Sequence, residues 1–251
     1  MKLRIKFRKY GTVRYIGHLD VMRFFQKAVR RAGIDVRYTN GFSPHQVMTF
    51  AAPLGVGITS NGEYMDIEVN FPGSGNLPES DVCPEDMEEG CRNIWKRLNE
   101  ACVPGIEIVS VKILPDTAGN AMASVAAASY TVGFRKGREP RADFAAILPR
   151  FLAKDRIPVM KKTKKGIREV DLREGIFRLS YTGESLSMLL DASSGGNIKP
   201  VQVVEALLAE EGEQLQENAL LVTREDVYTR TEEGRMVSLD EIGLAGYSGH
   251  T

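Results

Sequence analysis

Histidine, tryptophan and cysteine are scarce in this chain of 251 residues, at three, one and three copies. Cys83, Cys91 and Cys102 lie 8 and 11 positions apart, a spacing that fits no zinc or iron–sulfur ligand set, and their odd number does not suggest a disulfide framework. They are expected as free, buried thiols, because on a helix they share a face with Met87, Ile94, Trp95 and Leu98. No run of about 18 apolar residues is present, and the first residues alternate charge with apolar side chains where a signal peptide would have an apolar core. The expectation is a soluble, cytoplasmic protein with no membrane partner, no metal and no cofactor.

Acidic residues are nearly missing from the first fifty positions. Eleven Lys and Arg stand there against Asp20 and Asp35, an excess of nine, although the whole chain balances at zero. The compensating acids fall mainly between Glu63 and Glu100 and between Glu205 and Glu241. Segregation of this kind predicts a positive side and an anionic partner for it.

Leu3, Ile5 and Phe7 alternate with Arg4, Lys6 and Arg8, which predicts a half-buried strand with one basic face. His18 to Ala32 reads as a helix with Val21, Met22, Phe25, Ala28, Val29 and Ala32 inward, Arg23, Lys27, Arg30 and Arg31 outward, and Gly33 as its cap. Val36 to Tyr38 begins a second strand, "EYMDIEVNF" a third, Pro84 to Cys102 is a helix with acids in its first turn, and "GIEIVSVKIL" is a fourth strand. That order is the ferredoxin-like β-α-β-β-α-β arrangement. A second round follows: a strand at Tyr130–Phe134, a helix at Arg141–Ala153, short strands "IPVM" and "IREVDL", a hairpin of "IFRLSY" and "SLSMLLDA", a helix at Pro200–Ala209, and "ALLVTR". The expected α+β architecture is therefore two tandem ferredoxin-like domains, over 1–114 and 129–225, the second with extra strands. A connector would span 115–128 and a loose acidic tail 226–251.

Three constellations carry possible chemistry. Arg23, Lys27 and Arg30 line one helix edge at roughly 5–6 Å intervals, suited to successive phosphates, with Arg31 beside them and Arg8, Lys9 and Arg14 extending the patch; the alternative is a solvated helix face. His18, at a helix start where the dipole favours the neutral imidazole, and His45 on a loop would form an acid–base pair if the fold joins them. The loop Asn40–Gly57 is shaped by Gly41, Gly55, Gly57, Pro44 and Pro53. Its Gly41, Phe42, Ser43 and His45 either stack a base and bind an anion at the rim of a positive surface near the His18 helix start, or turn a corner with Phe42 buried. Glu63 and Asp66, three apart on a strand, point to opposite faces and do not share a metal. Lys161–Gly166, "KKTKKG", reads as a basic hairpin tip.

The run "HLD" at His18–Asp20, Arg23, "RRAG" at Arg30–Gly33, Tyr38, "GFSPH" at Gly41–His45, "FAAPLGVG" at Phe50–Gly57, Ser60, Glu63 and Asp66 resembles the radical-SAM-linked family of bacterial proteins of unknown activity. "VDLREGI" and Gly195–Pro200 are similar to the family's second half, so the resemblance spans roughly the first 225 residues. Gly17 departs from it, the family more often having serine there. The resemblance implies a radical SAM enzyme as partner, and the chain has no CxxxCxxC of its own. Together with the basic segment, this leads to the expectation of an RNA-binding accessory protein that presents tRNA or rRNA to that enzyme. The alternatives are a metal-independent ribonuclease or small-molecule transferase using His18 and His45, and a protein-interaction module docking through its acidic helix.

Overall fold

A computed structural model describes residues 1–70, 84–163 and 166–249. The fold is mixed α+β and divides into two compact units, Met1–Val125 with Asp226–Thr251, and Ala126–Glu225.

The first unit opens with β1 (Lys2–Lys9), a one-turn 3₁₀ helix at Gly11–Tyr15, α1 (His18–Arg31), β2 (Met48–Phe50) and β3 (Thr59–Glu68). It continues through α2 (Pro84–Ala101), β4 (Ile106–Ile113) and the single turn α3 (Ala121–Ser124). β1 lies between β4 and β3, antiparallel to both, and β2 pairs with the far edge of β3. Helix α1 forms where its apolar positions recur every three to four residues. Val21, Phe25, Ala28 and Val29 are buried by it, the larger of them worth about 1.5–3 kcal/mol each. It ends where Gly33 N–H reaches the Arg30 carbonyl and Ile34 N–H the Val29 carbonyl, a Schellman closure. α1 and α2 cover one sheet face, and Phe25, Val29, Cys91, Ile94 and Leu98 meet Leu3, Ile5, Phe7, Met65, Ile67 and Val111 in a single core. Burial pushes the Cys91 thiol up to about 12 and Cys102 up to about 11. Both are free, and Cys83 lies outside the described residues.

The second unit contains β5 (Ala127–Phe134), α4 (Phe144–Leu152), a separate hairpin of β6 (Pro158–Thr163) and β7 (Gly166–Asp171), β8 (Ile176–Tyr181) and β9 (Leu186–Asp191). α5 (Pro200–Ala209) and β10 (Leu220–Arg230) follow, and the sheet runs β10-β5-β9-β8. Of the lysine-rich segment, residues 161–163 end β6 and Gly166 opens β7, and Lys164 and Lys165 lie outside the described residues.

Three expectations are corrected. Val36 and Tyr38 make only isolated bridges, to Val69 and Gln46, and the strand falls at β2 instead, because Tyr38 and Gln46 close a loop before the chain returns along β3. Residues 115–125 are not a connector outside the domain: Ala121 and Val125 are buried, and Lys2 Nζ donates to the carbonyls of Ala118 and Gly119. Residues 226–251 are not a loose tail. The last residues of β10 belong to the first unit, as do β11 (Met236–Ser238), paired with β10, and β12 (Ala245–Ser248), paired with β4. Their acids are bonded inside it: Asp226 accepts from Lys6, Tyr64 and Ser238, and Asp240 from Ser110. Burial, then Asp226, raises the Tyr64 phenol.

The basic face of β1 is likewise not a free surface. Arg4 is 2% exposed and grips Asp66, its register partner, with Nε–Oδ1 2.8 Å and Nη2–Oδ2 3.0 Å. Asp66→Asn should therefore cost about 3–5 kcal/mol in urea denaturation by leaving a buried guanidinium uncompensated, whereas Arg4→Met with Asp66→Leu should recover most of that loss.

Candidate functional site

Helix α1 carries two candidate sites, one at its start and one along its outer edge. At the start, Phe7, Lys9, His18, Val21, Phe50, Ala52, Leu54 and Glu63 line one small pocket. β1 delivers Lys9 to it on the same face as Leu3, Ile5 and Phe7, and β3 delivers Glu63 opposite Phe7. Lys9 is 2% and Glu63 6% exposed. The Lys9 ammonium donates to the carbonyls of Arg14 (3.3 Å) and Ile16 (2.9 Å), tying down the approach to α1, and Glu63 Oε1 accepts from Ser60 Oγ at 2.6 Å. The His18 ring stands edge-on to Phe50, centroids 5.4 Å apart, and neither of its nitrogens has a hydrogen-bond partner among the described residues. Burial, and then the Lys9 charge, hold its pKa below the ordinary 6.5, so it is neutral at pH 7 and both donates and accepts. Asp66 points to the other sheet face, against Arg4.

Along the helix, Arg23, Lys27 and Arg30 are exposed. Arg23 meets Asp20 at 3.4 Å with both side chains largely in solvent, a weak pairing, and Arg30 Nε rests on the Gln26 carbonyl. At 100° per residue, Leu19, Arg23, Gln26 and Arg30 share one flank. The loop lies on this flank, since Gln46 Nε2 donates to the Gln26 carbonyl at 3.3 Å. Gly41 to His45 are all exposed, and Phe42 is fully so, which excludes a buried anchor. Gly41 adopts φ +121° and Gly57 +87°, conformations that favour glycine. His45 Nδ1 lies 3.1 Å from Thr39 Oγ1, and its N–H donates to the same oxygen.

The residues expected to extend the patch each have a local partner. Arg8 pairs with Glu107 at 3.6 Å, Lys9 is internal, and the Arg14 guanidinium lies over Tyr15, 4.8 Å from its centroid. Arg31 donates to the Ala101 carbonyl at the end of α2 and lies over Phe24. No hydrogen bond or ring contact joins His18 to His45 among the described residues: His45 meets Thr39 and Ser43, and His18 meets Phe50. Gln46, which follows His45, touches the helix eight residues beyond His18, about 12 Å along the axis. Lys9, expected on the basic patch, and Glu63, weighed only as a metal ligand beside Asp66, are the pocket's buried charges, a role the sequence reading did not give them. The alternation through Leu3, Ile5 and Phe7 already put Lys9 on the apolar face.

Residues 2–200 match the model of a family described as an uncharacterized protein conserved in bacteria, DUF2344. The chain belongs to this family. No curated protein matches it. No helix among the described residues is long and apolar enough to cross a membrane, and no group of three or more His, Cys, Asp or Glu among them is placed to hold a metal.

The lowered His18 pKa has a defined sign. Between the folded and unfolded values the unfolded chain binds the proton more readily, so the contribution of His18 to stability is complete above pH 6.5 and is lost as the pH falls below it. Ring-proton NMR should give a His18 midpoint below 6.5, and His18→Phe should flatten the decline of stability between pH 6.5 and 5.

Proposed function

We propose that this member of the family is an RNA-binding accessory protein which presents a structured RNA, tRNA or rRNA, to a partner radical SAM enzyme in the cytoplasm. The observation that carries the RNA-binding part is a fully exposed aromatic, Phe42, on a loop held against the same helix flank as Arg23 and Arg30. Cations spaced along a helix follow a phosphate backbone, and an exposed ring beside them stacks on unpaired bases. Tyr38, half exposed at the base of the loop, adds a second ring. The partner enzyme enters through the resemblance in the N-terminal motifs.

We infer further that each unit is ferredoxin-like. Supporting this, the first presents its strands in the order β4-β1-β3-β2, and the second as β10-β5-β9-β8 with the β6–β7 hairpin inserted after α4. Both follow one succession of strands and helices.

The experiment is a titration of labelled RNA at increasing salt. With three helix cations on phosphates, log K should fall by about two per decade of salt. The triple variant Arg23→Glu, Lys27→Glu, Arg30→Glu should abolish binding, and Phe42→Ala should weaken it about ten-fold with an unchanged melting temperature. Absence of RNA binding at low salt would overturn the reading and favour a protein-interaction module.

A further inference from the structure

We propose that the pocket of Lys9, His18 and Glu63 receives a ribose 2′-hydroxyl, so that the start of α1 distinguishes RNA from DNA while its outer edge holds phosphates. The inference rests on the nucleic-acid reading and adds a second site to it.

The pocket is charged but balanced. Lys9 and Glu63 are both more than nine-tenths buried, and burying opposite charges is costly compared with an apolar pair of the same volume. Here they flank a cavity that also contains an imidazole, where a polar cluster has a use beyond holding strands together. With one positive group, one negative group and a neutral ring, the pocket has no net charge. A phosphate or carboxylate entering it would meet the Glu63 carboxylate, whereas a neutral group that both donates and accepts meets complementary atoms.

Size narrows the choice further. The space between these side chains takes about one water-sized group, which excludes a base or a sugar ring and leaves a hydroxyl. His18 is the contact on the open side: it is partly exposed, its ring is fixed edge-on by Phe50, and its nitrogens have no partner among the described residues. Lys9 and Glu63 are positioning residues, one setting the approach to the helix through the Arg14 and Ile16 carbonyls, the other held by Ser60.

The surroundings fit a nucleotide outside the pocket. Tyr15, Leu19 and Val56 are large apolar side chains more than half exposed. Gly57 N–H donates to the Arg14 carbonyl, and a Cβ built on Gly57 would touch the Tyr15 ring at 4.0 Å, so Tyr15 and the Val56 turn are neighbours. Leu19 begins the flank that continues through Arg23 and Arg30. A base stacked on Tyr15 would have its ribose near His18 and its following phosphates toward Arg23, and the 2′-hydroxyl is the group by which a protein tells RNA from DNA.

The test uses the full chain and single-stranded oligonucleotides of one sequence, ribose against deoxyribose with deoxyuridine for thymidine, read by fluorescence anisotropy. The expected result is an RNA preference of about ten-fold, the scale of one hydroxyl's hydrogen bonds. His18→Phe and Glu63→Gln should remove this preference, bringing RNA affinity to that of DNA. If Glu63→Gln fails to fold, His18→Phe alone decides, because His18 is partly exposed at a helix end and Phe keeps the ring contact with Phe50. Equal binding of RNA and DNA by the unaltered chain, or a preference that persists in His18→Phe, overturns the pocket assignment and leaves the helix edge standing. Binding of neither oligonucleotide removes both.

Discussion

Five cations on a central strand dictate much of the first unit. β1 lies between β3 and β4 and contains Lys2, Arg4, Lys6, Arg8 and Lys9, none of which can enter a sheet interior without a counter-charge or acceptors. Each finds its partner in a different part of the chain. Lys2 takes carbonyls from the segment after β4, Arg4 takes Asp66 from β3, and Lys6 takes Asp226 from β10. Arg8 takes Glu107 from β4, and Lys9 takes carbonyls from the turn before α1. The segments that look expendable in the sequence, the Ala-rich stretch after β4 and the acidic end of the chain, are what these charges require.

The same pairing changes the meaning of the basic N-terminal region. An excess of nine positive charges over fifty residues suggests a broad positive surface, yet most of it is consumed at short range by carboxylates and carbonyls. On α1 the engagement is weakest: Arg23 meets only the solvent-exposed Asp20, Arg30 rests on the Gln26 carbonyl, and Lys27 is exposed. Charge counted along a sequence measures supply. Pairing across the sheet decides how much reaches the surface.

That distinction also separates what was legible in the sequence from what was not. Local patterns were readable. The 3.6-residue period located α1 and α2 to within a residue, Pro200 and the apolar run after it located α5, and the alternation in β1 was plain. Pairings between distant residues were not. Lys6 and Asp226 stand 220 positions apart, and no local pattern announces that the acids after 225 belong to the first unit. β2 was misplaced for a related reason: Val36 and Val47 flank a loop, and only the register against β3 shows that pairing resumes at Met48. At the site, the histidine at the helix start was visible, but its partners required two strands in register, Lys9 opposite Ser60 and Glu63 opposite Phe7.

Both candidate sites are consequences of one helix placed at a boundary between paired and unpaired charge. Its first residue faces an interior where Lys9 and Glu63 lie opposed, so the selectivity proposed there would come from shape and hydrogen bonding and change little with salt, since buried charges are poorly screened. Its outer edge faces water with cations that have no internal carboxylate, so an affinity for phosphates there would be long-ranged and salt-sensitive. Phosphate contacts position a strand without identifying it, and contacts to sugar or base identify it without supplying much of the attraction. On the proposed reading, a helix that begins in a balanced pocket and continues as an unbalanced edge would divide those two tasks along its length, and the exposed Phe42 on the adjoining loop would add the stacking that neither charge pattern provides.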